Sequence, residues 1–236
     1  MGADRKDRPA LQCWYDEYWA QSWYRNTYLV NRPRQIAREL RGERDWNNVY
    51  DAGCNFVCVS TILGIDPARL AAELAAQRFF KPERSNDARD LAGRIVPLVW
   101  DANEPSARVK RIALRHLWLP RLRRRATLTL RFVGEELTFD HRDGQRIVAA
   151  AHRRGEHVVA GARDHSHLVA GRTRDDFYLW DPDDTSVAVE DSLAGRLTLR
   201  SLFRFYIDQP IEFWRYTLER RIERVPRPKP SPYFAG

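Results

Sequence analysis

Lysine is nearly missing from this chain. Its 40 basic residues include only Lys6, Lys81, Lys110 and Lys229, so arginine carries almost all of the positive charge. A GC-rich coding sequence produces that bias without a functional cause. Cysteine is also scarce. Cys13, Cys54 and Cys58 make an odd number in 236 residues, which argues against a disulfide scaffold and for a reducing compartment. No apolar run reaches the roughly 18 residues that a spanning helix needs, so membrane insertion is not expected. The opening MGADRKDRPALQ is charged and has no apolar centre, unlike a secretory signal. MGADRK also lacks the Ser or Thr usual at the sixth position of a myristoylation motif. The expected location is the cytoplasm, although export as an effector by a signal-less route would leave the same signature.

The chain does have enough apolar residues for a sizeable core: 43% are hydrophobic against 31% charged, the balance of a globular protein. A net charge of +8 is compatible with acidic partners. Aromatics crowd residues 10–30, with Tyr15, Trp19 and Trp23 four apart and Trp14 and Tyr18 likewise. That spacing predicts a helix with a wide apolar side, packed on the main body or covering a partner. A second short helix is expected over 34–42, closed by Gly42. The apolar run 54–63 reads as a buried helix stopped by Gly64. Asp66 and Pro67 then open another helix as N-cap and first-turn residue. A further short helix is expected over 87–96.

Residues 108–131 hold nine Arg or Lys and no acid. The stretch reads as a helix up to Pro120 and then a strand lead-in, with a solvated cationic face. Such a face could hold an acidic protein or nucleic acid. No helix-turn-helix, zinc-finger or RNA-binding signature accompanies it, so nucleic acid is not the expected partner. From 126 onward strands take over. ATLTLRFV and LTFD flank GEE, a possible hairpin turn, and 143–154 looks helical. HVVAGA, HLVAGR, FYLWDP and VAVE follow at short intervals as an antiparallel meander. Longer elements return over 199–207 and 211–222, and RVPRPKPSPYFAG closes as an extended proline-rich tail. No internal repeat is visible. Helices first and strands second give an α+β fold. The organisation reads as an aromatic segment over 1–45, a main domain over 46–222 and a tail over 223–236.

The chemistry centres on DAGCNFVCVSTILG, residues 51–64. Cys54 could be a buried filler, a metal ligand or a nucleophile. At a helix N-terminus it meets the positive end of the macrodipole, which favours thiolate. Gly53 allows a tight entry, and the Cys54 amide could donate to an oxyanion. Cys58 lies one turn later among Val57, Val59 and Ile62 and reads as a small buried residue. Two cysteines four apart could hold zinc, but no second pair completes that site. A nucleophilic cysteine needs a base. DHSHLVAG carries His165 and His167 at the start of an apolar strand, two apart and facing the same way. His167 is deeper in the apolar run. A hairpin turning at RTRDD would set Asp181, at the end of FYLWDP, beside His167, where it could orient the imidazole.

GCNFVCVSTILG, HLVAG and LWDP, in this order and at these spacings, resemble the papain-like cysteine peptidases. They are most similar to the bacterial branch that includes the double-glycine leader peptidases. The resemblance covers roughly residues 46–185. It implies a papain-like fold: a helical lobe with the nucleophile helix, packed on an antiparallel sheet that carries His and Asp. It also implies Cys54 as nucleophile, His167 as base and Asp181 as orienting acid. Asn48 stands where the family has its oxyanion-hole Gln, six residues before the cysteine, and Asn55-Phe56 where the family often has Gly-Pro. The implied activity is a cysteine hydrolase, or a related acyl transferase, acting on a peptide or isopeptide bond of a peptide or protein substrate, with neither cofactor nor metal. The alternative is an inactive binding module on the same scaffold, engaging a protein partner through the aromatic segment or the arginine run.

Overall fold

Two runs in the first half fold as their end signals predict. The first is α2 (Cys54–Leu63), which follows a single turn, α1 (Val49–Ala52). All ten α2 residues are buried, so the helix is an interior rod with no solvent face. It stops at Gly64, whose φ of 67° lies in the left-handed region, and the Gly64 amide caps the last turn. In α3 (Pro67–Ala76), the Asp66 carboxylate accepts the Arg69 amide, and Leu70 and Leu74 face the core.

This computed structural model describes residues 12–29, 48–80, 111–119, 123–162, 165–183 and 197–223. The helices expected over 34–42 and 87–96, the VAVE strand and the proline-rich tail beyond Glu223 lie outside them. Among the described residues the protein is mixed α and β, built on one antiparallel sheet. Its strands are β1 (Gln12–Cys13), β2 (Arg111–Leu119), β3 (Arg124–Thr138), β4 (His157–Ala162), β5 (His165–Arg172), β6 (Phe177–Trp180) and β7 (Ile211–Ile222). The order across the sheet is β1-β5-β4-β7-β3-β2, with β6 also paired to β5. One face packs on α2 and α3 through Leu128, Leu130, Leu168 and Tyr216. The other, through Ala160, Val169 and Phe213, packs on α4 (His141–Arg153) and α5 (Leu199–Phe205).

Three expectations are corrected. The aromatic segment is not a long helix: it pairs as β1 with β5, runs extended, and makes one short 3-10 turn at Gln21–Tyr24. Trp and Tyr suit extended chain as well as helix, and tertiary partners decide. The Trp14 amide donates to the Ala170 carbonyl, the Tyr18 hydroxyl to the same carbonyl, and the Trp180 indole to the Trp19 carbonyl. Residues 12–29 therefore form a strap that shares the main core. Residues 111–119 are strand rather than helix. Ile112 and Leu114 alternate inward while Arg111 and Arg115 point out, and β2 pairs with β3. GEE is not a hairpin turn: β3 runs on through it, bulged between Phe132 and Gly134, because β7 pairs with it along its whole length.

Candidate active site

Gly53 sits between α1 and α2 with no room for a side chain. A Cβ there would lie 2.2 Å from the Val49 carbonyl oxygen. The glycine lets α1 fold directly onto the start of α2, so Cys54 opens the helix with its side chain buried beside the end of β5. Cys54 and Cys58 are both free thiols. Cys58 lies within the core, and its thiol contacts the Ser166 carbonyl. Burial, then the neighbouring Cys54 and Asp181, push its pKa well up, so it is held as an inert thiol.

The hairpin of β5 and β6 forms as its pattern predicts, turning at residues 173–176, with Leu168 opposite Trp180. Asp181 follows directly at the strand end. The histidine that meets it most closely is His165, whose Nε2 lies 2.6 Å from Asp181 Oδ1. His165 also hydrogen-bonds the Cys54 side chain. His165 thus stands between Cys54 and Asp181. Burial opposes its charge, but the hydrogen bonds to Asp181 and Cys54 and their negative charge outweigh that and push its pKa up to about 10. Burial likewise works against the Asp181 carboxylate. His165, His167 and the Asp183 amide prevail, holding its pKa below the usual value.

His167, the histidine expected at this position, is placed differently. Its Nε2 is 3.8 Å from Asp181 Oδ2, beyond hydrogen-bond reach. The ring is almost fully buried, its centroid 4.5 Å from that of His165 and perpendicular to it. Burial, then the His165 charge, lower its pKa to about 4, so it is a neutral imidazole at ordinary pH. The structure brings Cys54, His165 and Asp181 together and sets His167 behind them. The physical reason is depth: His165 is the first residue of β5 and stays at the rim, whereas His167 is one pleat further into the sheet.

Asn48 is buried at the entry to α1, where it bridges to Tyr28. A second amide side chain, absent from the sequence-based site, hydrogen-bonds to α1. Gln21 of the strap donates its Nε2 to the Tyr50 carbonyl, and its backbone amide donates to the Pro182 carbonyl. It ties α1 to the Asp181–Pro182 turn, so the approach to Cys54 and the turn that carries Asp181 both rest on one strap residue. A glutamine inside an aromatic run gives no sequence signal of that role.

No protein-family model, no curated protein and no solved structure matches this chain. The site therefore stands on its own geometry. Among the described residues no helix is long and apolar enough to cross a membrane.

Proposed function

We propose that the protein is a cysteine hydrolase of papain-like type, acting on a peptide or isopeptide bond, with Cys54 as nucleophile, His165 as base and Asp181 as orienting acid. The observation that carries this reading is the single imidazole that lies 2.6 Å from the Asp181 carboxylate and also interacts with the Cys54 side chain at the start of α2. That is the nucleophile–base–orienter relay of acyl transfer. The papain-like assignment rests on the motif resemblance together with a nucleophile helix packed on an antiparallel sheet.

In the proposed cycle the thiolate attacks the carbonyl carbon and the C=O electron pair becomes an oxyanion. The Cys54 amide at the start of α2 and the Asn48 side chain are the proposed donors to it. The tetrahedral centre collapses, the C–N bond breaks, and the leaving amine takes a proton from His165. Water gives a proton back to His165 and attacks the thioester, releasing the acid and regenerating the thiolate. An amine in place of water would make the reaction a transfer. Asp181 holds the ring and stabilises its cation throughout.

The test is the pH dependence of Cys54 alkylation by iodoacetamide, read by peptide mass spectrometry, in wild type, His165→Ala and His167→Ala. The expected result is a thiolate already reactive near pH 5 in wild type and lost in His165→Ala. If His167→Ala alone abolished that reactivity, the base would be His167. An ordinary thiol profile, centred near about 8.5 in all three proteins, would sink the enzyme reading and leave a binding module.

A further inference from the structure

Papain-type chemistry uses one histidine, and here a second stands against the same carboxylate. His165, His167 and Asp181 each offer a ligand atom, and these atoms all lie within 4.8 Å of one another. The His167 side chain reaches the cluster from the buried side and the other two from the rim, with side-chain exposures of 4%, 25% and 32%. The His167 ring is almost fully buried. Its Nε2 points at a carboxylate oxygen that is too distant for a hydrogen bond, at 3.8 Å. This spacing has a simple chemical meaning. Zinc bonds to imidazole nitrogen and carboxylate oxygen of about 2.0–2.2 Å in a tetrahedral shell leave neighbouring ligand atoms about 3.3 Å apart. The 2.6 Å contact of His165 with Asp181 Oδ1 would open, the 3.8 Å contact of His167 with Oδ2 would close, and ligand atoms up to 4.8 Å apart would draw together by about 1.5 Å.

We propose that His165, His167 and Asp181 form a binding site for a divalent transition metal ion of the zinc type, and that its occupancy silences Cys54. The second half rests on the reading of Cys54 and His165 as a reactive pair. Two imidazoles and one carboxylate are a borderline donor set that suits zinc and cobalt better than magnesium or calcium. On binding, the proton between His165 Nε2 and Asp181 leaves to solvent, and the lone pair it held goes to the metal. The metal takes His165 Nε2 and the Asp181 carboxylate out of their 2.6 Å contact, so the ring beside Cys54 is no longer held and oriented by the carboxylate. The fourth coordination position is left to water. Chelation restores the proton and the pair, so the switch is reversible. The two halves of DHSHLVAG acquire separate jobs: His165 serves Cys54, and His167 turns the orienting carboxylate into half of a metal cradle.

The experiment uses the full chain carrying Cys54→Ser, titrated with Co²⁺ and followed by its visible absorption. The expected result is one equivalent bound, with tetrahedral bands and no thiolate charge-transfer band, and an affinity that falls at least about tenfold when His167→Asn is added. X-ray absorption on the Zn²⁺-loaded Cys54→Ser protein checks the site without altering a ligand: two imidazoles and an oxygen donor are expected. Loss of binding in Cys54→Ser, or a shell with fewer than two imidazoles, would overturn the site. In wild type, Zn²⁺ is expected to abolish Cys54 alkylation at pH 6 and EDTA to restore it. Unchanged alkylation of a metal-loaded protein would overturn the silencing. Metal binding with an ordinary thiol profile would sink the hydrolase reading and keep the site. A reactive thiolate with no metal binding would do the reverse.

Discussion

At the scale of single residues, the site depends on what glycine omits and on how deep a histidine sits. Gly53 has backbone angles open to other residues, φ −102° and ψ 8°, so its need is steric: the Val49 backbone fills the space where a Cβ would go. Gly53→Ala must therefore pry α1 from α2. A loss of about 1–3 kcal/mol is expected in denaturant titration, together with loss of low-pH alkylation of Cys54, because the sulfur moves off His165. A stable variant with unchanged alkylation would show that the junction has slack. The sequence carried the cysteine, the glycine and the Asp-Pro turn legibly. It could not separate His165 from His167. Residues two apart on a strand share a face, and period-2 reasoning treats them alike. The deeper one looked better placed because it lies in the apolar run, but the carboxylate hydrogen-bonds the shallower one.

At the scale of elements, the second face of the sheet is organised by another carboxylate. Asp176 accepts the Arg200 amide at the start of α5, the Gln145 amide of α4 and a hydrogen from His141 Nε2. One side chain thus joins the β5–β6 turn to two helices. Burial works against its charge. The Arg200 and Phe177 amides, with His141 and Gln145, outweigh burial and hold its pKa below the ordinary value. A depressed carboxyl pKa contributes stability above the unfolded value of about 3.9, and that contribution is lost as pH falls through the folded value. Asp176→Asn is expected to cost about 1–3 kcal/mol at pH 7. The gap between the two melting temperatures should close below about pH 4. A gap that persists in acid would mean that packing, not the carboxylate, is lost. Element by element, α2, α3, α4 and β4–β6 were readable because caps, glycine stops and short apolar runs bounded by charged or glycine-bearing turns agree. The strap and β2 were not. Their partners, β5 and β3, supply hydrogen bonds that local spacing cannot announce.

At the scale of the whole molecule, the strap and the central strand hold the layers together. The strap runs from the β5 edge to the start of α1. Its bonds join Trp14 to Ala170, Gln21 to Pro182, Tyr24 to Asp66, and Thr27 to Val49. It crosses between the layer that carries Cys54 and the one that carries His165 and Asp181. A chain beginning at residue 30 is therefore expected to lose its cooperative unfolding transition and the low-pH reactivity of Cys54 together. Circular dichroism melts and alkylation would read both, and survival of either would make the strap an accessory. The other tie is β7. It is the last of the described strands in sequence, yet it lies in the middle of the sheet, between β4 and β3. During synthesis, β2–β3 and β4–β5–β6 must wait as two half-sheets, each with a bare edge where β7 will lie. Until Ile211–Ile222 emerges from the ribosome, those edges can recruit strands from a neighbouring chain. The nascent protein is most exposed to misassembly just before β7 arrives, so slow codons ahead of residue 211 would lower its yield.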